Sequence, residues 1–274
     1  MNATKFNFFS FDCIIMKVVI LCGGKGTRLR EETEYRPKPM VPIGGFPILW
    51  HIMKIYSHYG FKDFILCVGY KGQMIREYFR NYRWNTGDVT LRLGREPKIV
   101  FHDDHDEDDW TVTIAETGID SLTATRIHSV KKYLNHKEPF LLTYGDGLSN
   151  IDLSALLESH YNSGKICTIS AVHPAGRFGG ISIGDNGFVS NFEEKPLKEK
   201  AYINGGFMVC DQKIFNYFSE ANEMFEERPI NEIVADSNLN AYCHEGWWCP
   251  MDTFRESVLL NELWDKKKAP WKVW

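Results

Sequence analysis

Residues 21–40 read LCGGKGTRLREETEYRPKPM, and the residue types and spacing in this stretch suit the handling of phosphate. Gly23, Gly24 and Gly26 follow an apolar run, residues 18–21, that predicts a buried parallel strand, so the glycines begin where the strand ends. Glycine admits backbone conformations closed to other residues and lets a ligand come close to the main chain. A loop of this kind turns successive N–H groups toward an anion, and Arg28 and Lys38 add two cations within the same short segment. Pro37, Pro39 and Pro42 predict an extended, stiff arm carrying Lys38, because proline fixes φ and disfavours a helical residue before it. For the glycine pair alone, a plain tight turn is the alternative.

Two other phosphate loops are excluded. A P-loop needs Gly-Lys followed by Ser or Thr, and here Gly24-Lys25 is followed by Gly26. The dinucleotide fingerprint fails because Gly-Gly-x-Gly is not G-x-G-x-x-G and no helical pattern starts at once.

Further along, Asp146 stands between glycines in TYGDG, just past the apolar run 140–143. It has room for a hydrated divalent cation, and a turn-forming Asp-Gly is the alternative. Asp252 precedes a helical run and reads equally as a helix cap. Glu193-Glu194-Lys195-Pro196 reads as a solvated strand end, and Asn204-Gly205-Gly206 as an approach for a ligand ahead of the strand 207–209. Residues 103–109 hold six carboxylates in seven positions, which predicts a solvated hairpin loop between the strands 99–101 and 110–115, with a metal site as the lesser reading. The histidines show no metal-ligand spacing. The seven cysteines form no C-x-x-C pair, and an odd, dispersed set reads as reduced thiols in a cytoplasm-like compartment.

These groups need a scaffold. Ile48, Ile52, Ile55 and Tyr59 share one helical face with Gly60 as the stop, and residues 64–68 read as a second buried strand, making a βαβ unit over 18–68. Met74, Ile75, Tyr78, Phe79 and Tyr82 predict another helix, 153–161 a further one, and 166–172 another strand. Residues 181–183 and 189–192 read as a hairpin turning at Asn186-Gly187. The alternation predicts an α/β fold with a doubly wound, mostly parallel, Rossmann-like sheet, helices on both faces and ligands at the carboxyl ends of the strands. No repeat or linker divides the chain, so 16–274 is expected to be one domain, with 1–15 as an N-terminal extension and Met16 as the expected start.

A chain of 274 residues, 43% hydrophobic and 25% charged, can bury a sizeable core. Its formal charge of −4 gives no global attraction to nucleic acid or to an anionic membrane, so a phosphate site must be local. No stretch of about twenty apolar residues is present.

GGxGTRL followed by PKPMV is more specific than any of its parts. With PILWHIMKIYSHYG, TYGDG, Phe178-Gly179-Gly180, FEEKP, INGGF, PMDT and the closing APWKVW, it resembles the sugar-1-phosphate nucleotidylyltransferases, and within them the glucose-1-phosphate cytidylyltransferases, over nearly all of 16–274. The resemblance implies a nucleotidyltransferase (GT-A-like) fold and transfer of a cytidylyl group from CTP to α-D-glucose 1-phosphate, giving CDP-glucose for deoxysugar and surface-polysaccharide (O-antigen) synthesis. It implies nucleotide contacts at Leu21, Cys22, Gly23, Gly24, Lys25, Gly26, Thr27, Arg28, Lys38, Ser121, Arg126 and Gly145. Contacts to the sugar phosphate would come from Gly180, Glu194, Lys195 and Asn204, and Mg2+ would be held by Asp146 and Asp252. Arg28, Lys38 and Lys195 would serve catalysis. A cytoplasmic homo-oligomer, with a hexamer expected, is implied as well. One departure is Ala124-Thr125 where relatives with this activity commonly carry Gly-Gly, and its added side chains would either narrow a pocket or be absorbed by a loop shift.

Overall fold

The computed structural model describes residues 16–102, 106–174 and 201–274, together with the strands Gly180–Ile183 and Val189–Glu193. The expected extension 1–15, the turn at Asn186-Gly187, and the site residues Glu194 and Lys195 lie outside the described residues.

Seven strands form the main sheet: β1 (Lys17–Leu21), β2 (Asp63–Val68), β3 (Thr111–Glu116), β4 (Phe140–Tyr144), β5 (Cys167–Val172), β6 (Ile203–Cys210) and β7 (Leu239–His244). Their order across the sheet is β7-β5-β6-β4-β1-β2-β3. All neighbours run parallel except β6, which is antiparallel to both β4 and β5. That reversal matters for the site. It brings the first residues of β6, Ile203 and Asn204, beside Val172 and Ala171 at the carboxyl end of β5, the edge where the parallel strands also end. Asn204 therefore lies within the strand, not ahead of it.

Strand β1 shows why both faces are covered. Val18 and Ile20 pack on one side with α1 (Ile48–His58) and α4 (Leu153–Ser163), while Val19 and Leu21 pack on the other with α3 (Thr123–Ser129) and the buried Ile233 of α5 (Arg228–Ala235). Successive strand side chains point to opposite faces, so an unbroken apolar run demands two layers of helix. Each such side chain contributes roughly 1.5–3 kcal/mol relative to exposure. Helix α1 stops as expected, with Gly60 at φ +88°, and α2 (Gly72–Arg80) follows β2.

The acidic segment departs from its expectation. Lys98–Phe101 pairs with Val89–Arg92 in a ribbon of its own, and the strand after the acidic run is β3, parallel to β2 at the edge of the main sheet. The connection from β2 to β3 is therefore a crossover, and the described part of the acidic run, 106–109, is not wholly solvated. Glu107 is buried 3.0 Å from Lys54 of α1, itself buried, because an ammonium removed from water needs a counter-charge.

The arm carrying Lys38 is also different in detail. Lys38–Met40 makes a single 3-10 turn, with Met40 N–H donating to Pro37 O at 2.8 Å, and a short ribbon, Pro42–Ile43 with Phe46–Pro47, follows. Helix α6 (Phe254–Asp265) braces that ribbon: Asn261 Oδ1 accepts from Gly44 N at 3.0 Å, and Trp264 sits where a Cβ on Gly44 would be. Proline thus supplies only part of the stiffness.

Candidate active site

The loop after β1 lines a cleft of about 350 Å3 together with Lys38, Ser121, Arg126, Gly145 and Asp146. Of the expected nucleotide contacts, only Lys25 stands apart from it, its ammonium paired with Asp120 at 2.9 Å on the surface. Gly26 adopts φ +61°, and a Cβ there would meet Thr33 Cγ2 at 2.8 Å, so this is the position where glycine's freedom is required. Gly24 has open space around its Cα. Among the described residues, nothing accepts a hydrogen bond from the N–H groups of Gly24, Lys25, Gly26 or Thr27. Four successive free donors at the carboxyl end of a parallel strand can serve an anion.

Two carboxylates converge beside that loop. Gly147–Ser149 pairs with Trp248–Pro250, and Met251 N–H donates to Asp146 O at 2.8 Å, so a small ribbon sets Asp252 next to Asp146. Lys38 Nζ bridges them, 2.5 Å from Asp146 Oδ2 and 2.5 Å from Asp252 Oδ1, and Arg28 Nη1 reaches Asp252 Oδ2 at 2.7 Å. Burial by itself would lower the pKa of the Lys38 ammonium, but the charges and hydrogen bonds of Asp146 and Asp252 outweigh it and the net shift is upward. The ammonium is thus firmly charged. The helix-cap reading of Asp252 falls to its neighbour: Thr253 caps α6 in a capping box with Glu256, whose carboxylate accepts from the N–H of both Thr253 and Asp252. With its neighbour doing the capping, the Asp252 side chain is left for the site.

Arg126 lines the cleft, yet its guanidinium is spent on the protein. It donates to Thr117 Oγ1 and Gly118 O at 2.7 Å each, to Gly23 O at 3.0 Å, and more weakly to Val68 O and Ile119 O. These acceptors sit where β1, β2 and β3 end, so one buried side chain ties three strand ends together. Burial lowers its pKa, partly offset by nearby anionic groups. Gly23 has no side chain because the guanidinium lies there: a Cβ would fall 2.0 Å from Arg126 Nη1. Gly23→Ala should therefore destabilise the fold by about 2–4 kcal/mol through the displaced buried charge, whereas Gly24→Ala should stay within about 0.5 kcal/mol. Urea unfolding of the two variants checks this, and equal midpoints would contradict it.

Ala124 and Thr125 do not line the cleft. Ala124 is buried at 1% exposure in the core beneath α3, and Thr125 Oγ1 accepts from Glu223 N at 3.2 Å and donates to Ala221 O at 3.4 Å. The Ala124 side chain is taken into the core and that of Thr125 is held by residues 221–223, so neither lines a cleft.

A second cleft shares Arg28, Thr123, Tyr144 and Asp146 with the first and continues past Asn204, Glu226, Trp248 and Asp252. Gly180, the other expected sugar contact among the described residues, begins the strand Gly180–Ile183, in register with Glu193. The glycines after Asn204 admit protein groups: a Cβ on Gly206 would strike the Tyr144 ring at 2.6 Å, and one on Gly205 would strike Val172 and Ser170. Tyr144 Oη donates to Glu226, and burial followed by the Glu226 charge raises its pKa far above the usual phenol value. Tyr144, Thr123, Met224 and Glu226 carried no signal in the sequence. Tyr144 was visible only as a neighbour of Asp146, and residues 224 and 226 come from a connection with no motif.

Residues 17–256 match the family described as nucleotidyl transferase. The chain is 46% identical over 259 residues to the glucose-1-phosphate cytidylyltransferase of Salmonella typhi, covering 94% of this chain and all of that one. It is 43% identical over 260 residues to the probable glucose-1-phosphate cytidylyltransferase of Bacillus subtilis, again over 94% of this chain and all of the relative. Among solved structures, HddC from Yersinia pseudotuberculosis complexed with GMP-PN matches with a TM-score of 0.65 at 22% identity, over 91% of this chain and 99% of that one, a likeness of fold. Sheet order, free N–H loop and family match agree, and the chain belongs to the nucleotidyl transferase family.

Proposed function

We propose that this protein transfers the cytidylyl group of CTP to α-D-glucose 1-phosphate, releasing pyrophosphate and forming CDP-glucose. The observation that carries the reading is the meeting of two clefts at Asp146 and Arg28, one floored by a loop of free N–H groups and the other reaching Asn204. Such a seam suits a reaction between two phosphorylated substrates, and a relative that matches over 94% of this chain is named for this one.

The N–H groups of residues 24–27 would hold the triphosphate. A sugar-phosphate oxygen attacks the α-phosphorus in line, and the bond to the β-phosphate oxygen breaks with its electron pair leaving on pyrophosphate. No covalent intermediate on the protein is needed, so the protein's work is positioning and charge compensation. Arg28 and Lys38 would balance the charge that moves to pyrophosphate. Asn204 would orient the sugar, and Lys195 with Glu194 would complete the sugar-phosphate subsite as the family pattern has it.

A divalent cation fits Asp146 and Asp252. Both carboxylates already converge on one small cation, the Lys38 ammonium, and Mg2+ is commonly held by one or two carboxylates with water and phosphate oxygens filling the remaining positions. When bound, the ion lowers repulsion between the two polyanionic substrates. Asp146→Asn and Asp252→Asn should each raise the Mg2+ concentration needed and cut turnover by about 10². The double variant should lose much less than the product of the two, because they share one ion. Multiplicative losses in Mg2+ titrations would speak against a shared site.

The reading is tested by measuring pyrophosphate release with CTP, Mg2+ and a panel of sugar 1-phosphates. Release with glucose 1-phosphate well above the rest is expected. Release with another sugar 1-phosphate alone would move the acceptor, and none with any would sink the reading.

A further inference from the structure

Glu226 has no part in the chemistry above, yet both of its oxygens are committed at the seam between the clefts. Oε2 accepts from the Thr123 hydroxyl at 2.6 Å, and Oε1 accepts from the Tyr144 phenol. An ionised carboxylate can only accept, so the direction of each proton is fixed. Thr123 Oγ1, with its own O–H donating to Glu226, accepts from Phe225 N at 2.7 Å. Tyr144 Oη likewise keeps only lone pairs, and Asn204 Nδ2 donates to it at 3.4 Å. The other end of the same amide, Oδ1, accepts from Gly206 N at 2.9 Å, and since a main-chain N–H can only donate, the flip of Asn204 is settled at both ends. One N–H of Asn204 remains, on a residue that lines the second cleft.

The connection that presents Glu226 is tied down independently. Ala124 N donates to Glu223 O at 3.1 Å and Leu122 N to Asn222 Oδ1 at 2.8 Å, while Arg228 grips Glu223 through Nε at 2.9 Å and Nη2 at 2.7 Å. Tyr144 is fixed from its other side by the missing side chain of Gly206. Each member of this hydrogen-bond chain, Thr123, Glu226, Tyr144 and Asn204, is thus positioned by contacts within the protein.

We propose that Glu226 is a positioning residue for the acceptor. Acting through Tyr144, it fixes the Asn204 amide so that a donor, not an acceptor, meets the oxygens of the sugar in the second cleft. This rests on reading that cleft as the sugar 1-phosphate site. A donor at this point favours an acceptor substrate that offers a hydroxyl oxygen there and works against an analogue lacking it, since the amide N–H would then go unpaired.

Glu226→Gln tests the proton direction with little change of shape. The new amide can still accept from Thr123 through its oxygen, but it turns an N–H toward Tyr144. The phenol must then direct its proton elsewhere, and Asn204, still required to accept from Gly206, faces a donor in place of an acceptor. The KM for glucose 1-phosphate should rise about tenfold, the scale of one misdirected hydrogen bond, at saturating CTP. The KM for CTP should move by less than about twofold, because the Thr123 side is preserved. Tyr144→Phe, which keeps the ring on Gly206 and removes only the hydroxyl, should give the same rise. The double variant should give no further rise, both changes acting through one hydroxyl. An unchanged KM for glucose 1-phosphate in either single variant, an equal rise in both KM values, or multiplicative effects in the double variant would each overturn the proposal. The wild-type assay separates the two levels: a wild type that releases no pyrophosphate with any sugar 1-phosphate overturns the reading of the cleft and the proposal with it, whereas variants that match an active wild type overturn the proposal alone.

Discussion

Lys38→Ala should slow turnover by on the order of 10²–10³ while changing the KM for either substrate far less. Lys38 stands on a braced 3-10 turn, 8% exposed, lining the first cleft with its ammonium held by Asp146, which both clefts share, and by Asp252 of the second. Charge held in advance at that point stabilises the transition state, where pyrophosphate gathers electrons, more than it stabilises bound substrate. The same variant should show a second, opposite effect. In the free protein the ammonium occupies the space between Asp146 and Asp252, so a divalent cation must displace it. Removing it leaves two facing carboxylates without a cation, and affinity for Mn2+ in the absence of substrates should rise by about tenfold. Slower turnover with tighter metal binding is the expected pair, read by steady-state kinetics and titration calorimetry. Near-normal turnover would remove Lys38 from the mechanism, and weaker metal binding would remove the competition between ammonium and metal.

Base choice carries the largest expected number. Phosphate chemistry alone does not separate CTP from UTP or dTTP, but the base edges differ: cytosine offers an amino donor and a ring-nitrogen acceptor, and uracil and thymine reverse them. A site that pairs with one edge leaves buried groups unpaired with the other, so kcat/KM should favour CTP by about 10⁴. Arg126 enters this through structure. Its guanidinium is taken up by Gly23, Thr117 and Gly118, so Arg126→Ala should loosen the cleft wall and erode the preference. Ala124 and Thr125 line neither cleft. Replacing both with glycine should leave CTP preferred and lower only stability, by removing the Thr125 contacts to residues 221–223. Comparable kcat/KM for CTP and UTP in side-by-side saturation kinetics would withdraw the cytidylyl assignment and leave the broader nucleotidyl transfer.

No helix among the described residues is long and apolar enough to cross a membrane.

The layers and the glycine loop after β1 were legible in the sequence because they depend on local terms. An unbroken apolar run such as 18–21 permits only a strand covered on both faces, and glycines at its end permit a loop open to an anion. The helix stop at Gly60 and the strand β2 follow from the same short-range preferences. Other features required residues far apart in sequence to meet, and there the local signal was silent or misleading. Gly23 reads as room for a ligand, but the group that comes close is the Arg126 guanidinium. Residues 103–109 read as solvated from their charge, until Lys54 of α1 is found beneath Glu107. The reversed direction of β6, which carries Asn204 to the working edge, leaves no mark on periodicity, since a strand alternates alike in either direction. Local preferences along the chain account for the alternation of elements, the loop and the charged residues available to it. That Asp146, Asp252 and Lys38 form one cluster, and that Glu226 joins Thr123 to Tyr144, emerges in the folded chain alone, because those contacts are made by side chains whose separation along the chain bears no relation to their distance in the fold.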